Sequence, residues 1–235
     1  MREAPVTLPT HLVFSDVDET LIRCKSMFDF LDFHYGRTYG RHGTERAREV
    51  RETLTALSAG GTPREHANRV YYRAWSGESA HLVAASGAEW FKRRSAADSF
   101  YVPATRDALL RHRADGAAVV LVSGSFPAIL DPIAADIGAA HLVCSLPEVR
   151  DGVLTGELVG EPVIGEEKRA AVRRLLSAHP HIDAADCHAY GDHVSDLPML
   201  TEVGHPVVVG DRELAGRLPG GLFLTSDDGT LPAGA

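Results

Sequence analysis

A chain of 235 residues can form one large domain, or one domain carrying an insertion. Its 44% apolar and 24% charged residues are ordinary for a soluble globular protein, and no apolar run approaches the roughly 18 residues that span a bilayer, so no membrane partner is expected. A net charge of −8 argues against nucleic acid as a partner, because that usually needs a basic face, and any site for an anion must gather its positive charge locally. The first ten residues lack the basic and apolar regions of a secretory signal. The widely spaced Cys24, Cys144 and Cys187 read as free thiols in a reducing cytoplasm.

Taken in order, residues 11–15 form the first expected strand. Its apolar run, Leu12-Val13-Phe14, ends in two carboxylates spaced i and i+2, Asp16 and Asp18. A buried strand excludes such charges, so they belong at its carboxyl end, where an open α/β sheet leaves a crevice for ligand. From about residue 26 to residue 100 the periodicity turns helical, and four helices are expected. One carries Phe30, Leu31 and Tyr35, and the next Ala47, Val50, Leu54 and Leu57. The third carries Val70, Tyr71, Ala74 and Trp75, and the fourth Leu82, Ala85, Trp90 and Phe91. Gly60-Gly61-Thr62 and Ser76-Gly77 punctuate them. The expected organisation is a core of residues 1–25 and 101–235 interrupted by a helical cap of residues 26–100.

After Pro103 the α/β alternation resumes: a helix over 104–114, a continuous apolar strand over Ala117–Val122, a helix over 127–137 and a short strand at Leu142-Val143. Val149 to Leu158, with Asp151-Gly152 at its turn, reads as a β-hairpin. A helix over 166–178 follows, then strands at His188–Tyr190, Val207–Val209 and Leu222–Leu224, and a loose tail from Asp227.

Three expected strands end in polar clusters: Asp16/Asp18, Ser123-Gly124 and Asp192/Asp196. In a parallel sheet these ends share one edge, so four carboxylates converge there and call for a cation. Magnesium suits an all-oxygen site that keeps several waters. The Ser123 hydroxyl, backbone N–H groups at Gly124 and the helix N-terminus that follows suit a phosphate, and Lys168 supplies a further cation. This set matches hydrolysis of a phosphomonoester in two steps: Asp16 attacks phosphorus, and Asp18 protonates the leaving oxygen and then deprotonates the attacking water.

These residues resemble the motifs of the haloacid dehalogenase-like hydrolase superfamily, in its phosphoserine-phosphatase-like branch. Asp16-Val17-Asp18-Glu19-Thr20 is similar to the first motif, Val119-Val120-Leu121-Val122-Ser123-Gly124 to the second, Lys168 to the third, and Gly191-Asp192 with Asp196 to the fourth. The resemblance implies an α/β fold with a Rossmann-like, three-layer parallel core and an inserted α-helical cap. It also implies Mg2+ held by Asp16, the backbone carbonyl of Asp18, and Asp192, with Asp196 acting near the ion or through water. Phosphoserine phosphatases carry a Glu nine residues after the nucleophile, where it holds the substrate's ammonium; here that position is Lys25, which favours a second anionic or neutral polar group instead. Glu19 replaces a small residue. His193 also replaces one and is expected in an exposed loop. Ser195 stands where an Asn helps hold phosphate, a task its hydroxyl can share. The cap arginines Arg37, Arg41, Arg64, Arg69 and Arg73 are candidates for substrate choice.

The sequence thus leads to a magnesium-dependent phosphatase for a small phosphorylated metabolite, active as a monomer or homodimer. A phosphotransferase passing the same group to an alcohol shares every motif. Dehalogenation would need neither Asp18 nor the Asp192/Asp196 pair. A non-catalytic binding protein would have no use for the clustered acids.

Overall fold

The structure is a computed structural model and describes residues 8–226; the segment before Leu8 and the tail expected from Asp227 lie outside the described residues. Strand β1 (Leu12–Ser15) is buried along its whole length. Its alternation sorts side chains between two cores, Val13 into the one shared with the helical insert and Leu12 and Phe14 into the other. A strand covered on both faces needs an apolar residue at every position, which explains the unbroken run in the sequence.

The chain then leaves the sheet for α1 (Ser26–Ala59), α2 (Arg64–Arg73) and α3 (Ala80–Arg94). Separate helices were expected around Tyr35 and Leu54; they run on as α1, broken only at Gly40, whose φ of 56° and ψ of −137° are non-helical. Only glycine accepts that conformation cheaply, so the break falls there without a connecting loop. The segments entering and leaving the insert lie side by side, Arg23 N–H donating to the Phe100 carbonyl and Val102 N–H to that of Leu21, both at 2.9 Å.

Chain order continues through α4 (Pro103–Ala114), β2 (Ala118–Ser123), α5 (Pro127–Ile137), β3 (His141–Cys144) and a hairpin of β4 (Pro147–Arg150) and β5 (Val153–Leu158). The hairpin turn has Asp151 at φ 50° and Gly152 at φ 79°, the left-handed pair that matches strand twist. Then come α6 (Glu166–Ala178), β6 (His188–Gly191), α7 (Leu197–Leu200), β7 (His205–Val209), α8 (Arg212–Ala215) and β8 (Leu222–Leu224).

The six-stranded sheet has the order β3-β2-β1-β6-β7-β8, and every neighbouring pair is parallel. The winding reverses between β1 and β6, so a crevice opens at their carboxyl ends. Residues of α4 and α5 (Leu109, Ile129, Ile133) cover one face together with the insert, and residues of α6, α7 and α8 (Val172, Met199, Leu214) cover the other. The insert is fastened to the core by rings: Phe126, just before α5, lies 5.4 Å from Trp75 and 5.9 Å from Phe30, centroid to centroid. No helix among the described residues is long and apolar enough to cross a membrane, and the three cysteines are free.

Candidate active site

Asp16 follows the last residue of β1 and Asp192 the last of β6, at the point where the winding reverses. Asp196 ends the turn after β6 and is buried; Ser123 closes β2 and Lys168 lies in the first turn of α6, both also buried. Gly191 is required for this convergence, because a Cβ there would stand 2.6 Å from the Cβ of Asp196. Asp16, Asp192, Asp196, Ser123 and Lys168, with Asp18, Gly124, Lys25 and Ser195, line one cavity of about 600 Å³ between the sheet edge and the insert. The structure therefore gathers these candidates from the sequence around one cavity.

Lys168 ties the acids. Its Nζ donates to Asp16 Oδ1 at 2.6 Å and to Asp196 Oδ1 at 2.7 Å. Burial alone would push its pKa down; the two carboxylates outweigh burial and raise it, so the ammonium stays charged. Asp196 Oδ2 accepts from the backbone N–H groups of Asp192 and His193 at 3.2 and 3.1 Å, which locks the turn. Thr20 Oγ1 donates to Asp192 Oδ1 at 2.9 Å and so joins the first acidic loop to the last.

One ammonium cannot neutralise the group. Burial pushes the Asp16 carboxyl up while Lys168 pulls it down. Asp18 is pushed up to about 7, mainly by burial, with the Asp16 charge adding to it. Asp192 reaches about 8 through burial and the charges of Asp16 and Asp196. Carboxyl oxygens of Asp16, Asp192 and Asp196 lie within 4.8 Å of one another, and Asp18 Oδ1 is buried without a hydrogen-bond partner. An all-oxygen set with surplus negative charge and an orphaned carboxyl oxygen fits magnesium.

Beside the acids, Ser123 Oγ accepts from Ser125 N–H at 3.1 Å, and the buried Ser125 Oγ has no hydrogen-bond partner. Asp18 Oδ2 accepts from Ser26 N–H at 3.0 Å, which turns its carboxyl toward the start of α1. Glu19 holds φ at 60°, the left-handed region in which a small residue is easier to place.

Several sequence expectations change on contact with the structure. His193 is not an exposed loop residue: it is half-buried, it lines the cavity, and its Nδ1 accepts from Ser195 N–H at 3.1 Å. Lys25 lines the cavity mouth but pairs with Glu19 at 3.4 Å, both side chains about half-exposed, so each blunts the other's charge. Of the five cap arginines only Arg64 lines the cavity, its Nη1 donating to Ser195 Oγ at 3.3 Å across from insert to core. Arg37 pairs with Glu89, Arg41 with Glu45, Arg69 with Glu161 and Arg73 with Glu157.

Two further residues were not picked out from the sequence. Asn68 Nδ2 and Tyr72 Oη both donate to the Gly124 carbonyl, at 3.1 and 2.9 Å, so α2 holds the loop after Ser123 directly. A polar Asn beside the apolar stripe of α2 was the available signal.

The family model described as haloacid dehalogenase-like hydrolase matches residues 13–201. A probable phosphatase of Mycobacterium tuberculosis is 41% identical over 109 residues, covering 46% of this chain and 37% of that protein, so the chain matches well under half the length of that relative. A phosphoserine phosphatase of the same organism is 30% identical over 215 residues, 88% of this chain and 67% of its own length. The crystal structure of a Bordetella pertussis protein of unknown function superposes with a TM-score of 0.80 at 28% identity, covering 94% of this chain and all of that one. The chain belongs to the haloacid dehalogenase-like hydrolase family. Within the family it falls in the phosphoserine-phosphatase-like branch, whose motifs it carries in order.

Proposed function

We propose that the protein is a magnesium-dependent phosphatase for a small phosphomonoester, acting through a phosphorylated Asp16. The observation that carries the reading is the buried bridge from Lys168 to Asp16 and Asp196, with Asp192, Asp18 and Ser123 on the same cavity wall. Asp16, the Asp18 carbonyl and Asp192 would hold magnesium, with Asp196 near it; when bound, the ion would supply positive charge against the phosphoryl oxygens and let Asp16 and Asp192 stay ionised.

In this scheme Lys168 holds Asp16 in place while its carboxylate oxygen attacks phosphorus and the ester P–O bond breaks. Asp18, whose carboxyl burial pushes up to about 7 and so keeps partly protonated near neutral pH, gives its proton to the leaving oxygen. Water then attacks the acyl phosphate, its proton passes to the Asp18 carboxylate, and the P–O bond to Asp16 breaks to release inorganic phosphate. The Ser123 and Ser125 hydroxyls and the N–H groups leading into α5 supply hydrogen-bond donors to the phosphoryl oxygens. The insert acts as a cap over residues 26–100, excluding water and selecting the leaving group.

The cavity wall sets Lys25, Arg64 and His193 beside the apolar Met27, Phe28 and Leu54. That lining favours a leaving group with a second anionic or neutral polar substituent over one with an ammonium. Relatives are named phosphoserine phosphatase; here Glu19 is already paired with Lys25, so the pair offers no free carboxylate to an ammonium and directs this chain toward a different phosphomonoester. Release of p-nitrophenol from p-nitrophenyl phosphate is expected with Mg2+ and is expected to stop in EDTA; full activity in EDTA would overturn the mechanism. A panel of phosphorylated metabolites, repeated with Lys25→Glu, tests the substrate class.

A further inference from the structure

The opposite edge of the sheet carries a second cluster that the proposed hydrolysis does not use. His11 stands just before β1, His188 opens β6, and His112 lies in the last turn of α4. The parallel register, with Val13 beside His188, brings these distant positions to one place. His11 and Asp16 are five residues apart along an extended strand, so this edge is about 16 Å from the acids.

We propose that His11, His112 and His188 form a binding site for a zinc-class divalent transition-metal ion. One ligand nitrogen from each of the three lies within 4.8 Å of the others. His11 Nε2 and His112 Nδ1 are 3.3 Å apart. Two nitrogens on one tetrahedral ion, each at about 2.0–2.1 Å from it, stand about 3.3–3.4 Å apart, so this pair already has the span of a coordination edge. The outer nitrogens are held as metal-binding imidazoles require. His11 Nδ1 is 2.9 Å from Thr10 Oγ1, and His112 Nε2 is 3.0 Å from Tyr190 Oη. Both partners are hydroxyls, which can accept from the ring; each outer nitrogen can therefore carry the proton while the inner one keeps its lone pair for the ion. His188 Nδ1 is buried and without a hydrogen-bond partner of normal geometry.

Charge and packing agree. Burial, helped by the neighbouring imidazoles, holds His112 and His188 down to about 4, so both are neutral at pH 7 and able to ligate. Asp115 and Asp186 bring negative charge to His11, against which Arg111 acts on His112. His205 stacks on His188 with centroids 4.5 Å apart and fixes that ring. The three side chains are half-buried, which leaves room for water as a fourth ligand. Three imidazoles and no carboxylate select zinc, cobalt or nickel over magnesium. An ion here would clamp two strands and a helix and act as a structural staple.

Co2+ titrated into tag-free protein already saturated with Mg2+ provides the test, because tetrahedral cobalt absorbs strongly in the visible while cobalt in an octahedral oxygen site absorbs weakly. One equivalent of tetrahedral spectrum is expected, lost in both His11→Gln and His112→Gln. Zn2+ at a hundredfold excess over its Kd is expected to raise the melting temperature by about 5–10 °C in the parent alone. Each variant is checked by its melting temperature in EDTA, which should equal that of the parent. No tetrahedral band in the parent, or a band that survives in both variants, overturns the site.

Discussion

Replacing Lys168 with methionine isolates the electrostatic problem that the site has to solve. Lys168 is 3% exposed, and its ammonium contacts carboxyl oxygens of Asp16 and Asp196 at 2.6 and 2.7 Å. Methionine fills similar space but leaves two buried acids without their cation. Breaking a buried ion pair from one side costs about 3–5 kcal/mol. In a chain of this size each kcal/mol moves the melting temperature by about 2–4 °C, so Lys168→Met is expected to melt about 6–20 °C below the parent. The assay is thermal unfolding in EDTA at pH 8 and again at pH 5. The deficit should be smaller at pH 5, because Asp16, which burial already holds above the ordinary carboxylate range, can then take up a proton. Mg2+ should narrow the deficit at pH 8 by supplying the missing charge, although phosphatase activity should remain lost because Asp16 is no longer held in position. Melting within about 2 °C of the parent in EDTA at pH 8 would refute the electrostatic reasoning.

The metal-free parent should itself lose stability as pH rises from about 4 to about 8, because Asp18 and Asp192 keep protons in the folded state, to about 7 and about 8, that the unfolded chain releases near 3.8. Mg2+ stabilisation should grow over the same window, and differential scanning calorimetry with and without the ion reads both slopes; a metal-free stability that rises between these values contradicts the assignment. Arg64→Ala removes the contact from the insert to Ser195 and a cation from the cavity wall, and is expected to raise KM several-fold for an anionic leaving group with little change in melting temperature. Steady-state kinetics on two leaving groups of different charge checks it. Gly87→Ala should destabilise the seam between α3 and α5, since the new Cβ would fall 1.7 Å from the Ala128 carbonyl oxygen; overpacking of this kind costs about 1–3 kcal/mol, readable by urea unfolding.

Most of the candidate catalytic edge is legible in the sequence for a topological reason. Parallel strands all end on one side, so polar residues that terminate apolar runs, such as Asp16, Ser123 and Asp192, must meet whatever the loops do. Lys168 is legible because it lies in the first turn of its helix, where the acidic strand ends need a cation, and because it resembles the third family motif. The insert is less legible. Its apolar periodicity marks the helices, yet the break at Gly40 depends on one residue's φ, and nothing local distinguishes it from a loop. Nor does the sequence separate Arg64 from Arg37 or Arg69, because the partners that occupy the latter two, Glu89 and Glu161, come from distant elements. Asn68 and Tyr72 were hidden by their helix, where they flank a stripe already explained by packing. The histidines at the far edge were invisible one at a time, since only the register of β1 against β6 makes neighbours of His11 and His188.

The proposed mechanism requires Asp16 to carry the phosphoryl group. Protein turning over p-nitrophenyl phosphate in Mg2+ can be quenched and reduced with borohydride, which converts an acyl phosphate to the alcohol, and the peptides read by mass spectrometry. Homoserine at position 16, absent in EDTA and absent from Asp16→Asn, is the expected result. Sustained turnover with position 16 unmodified, or with the label on another residue, would contradict it.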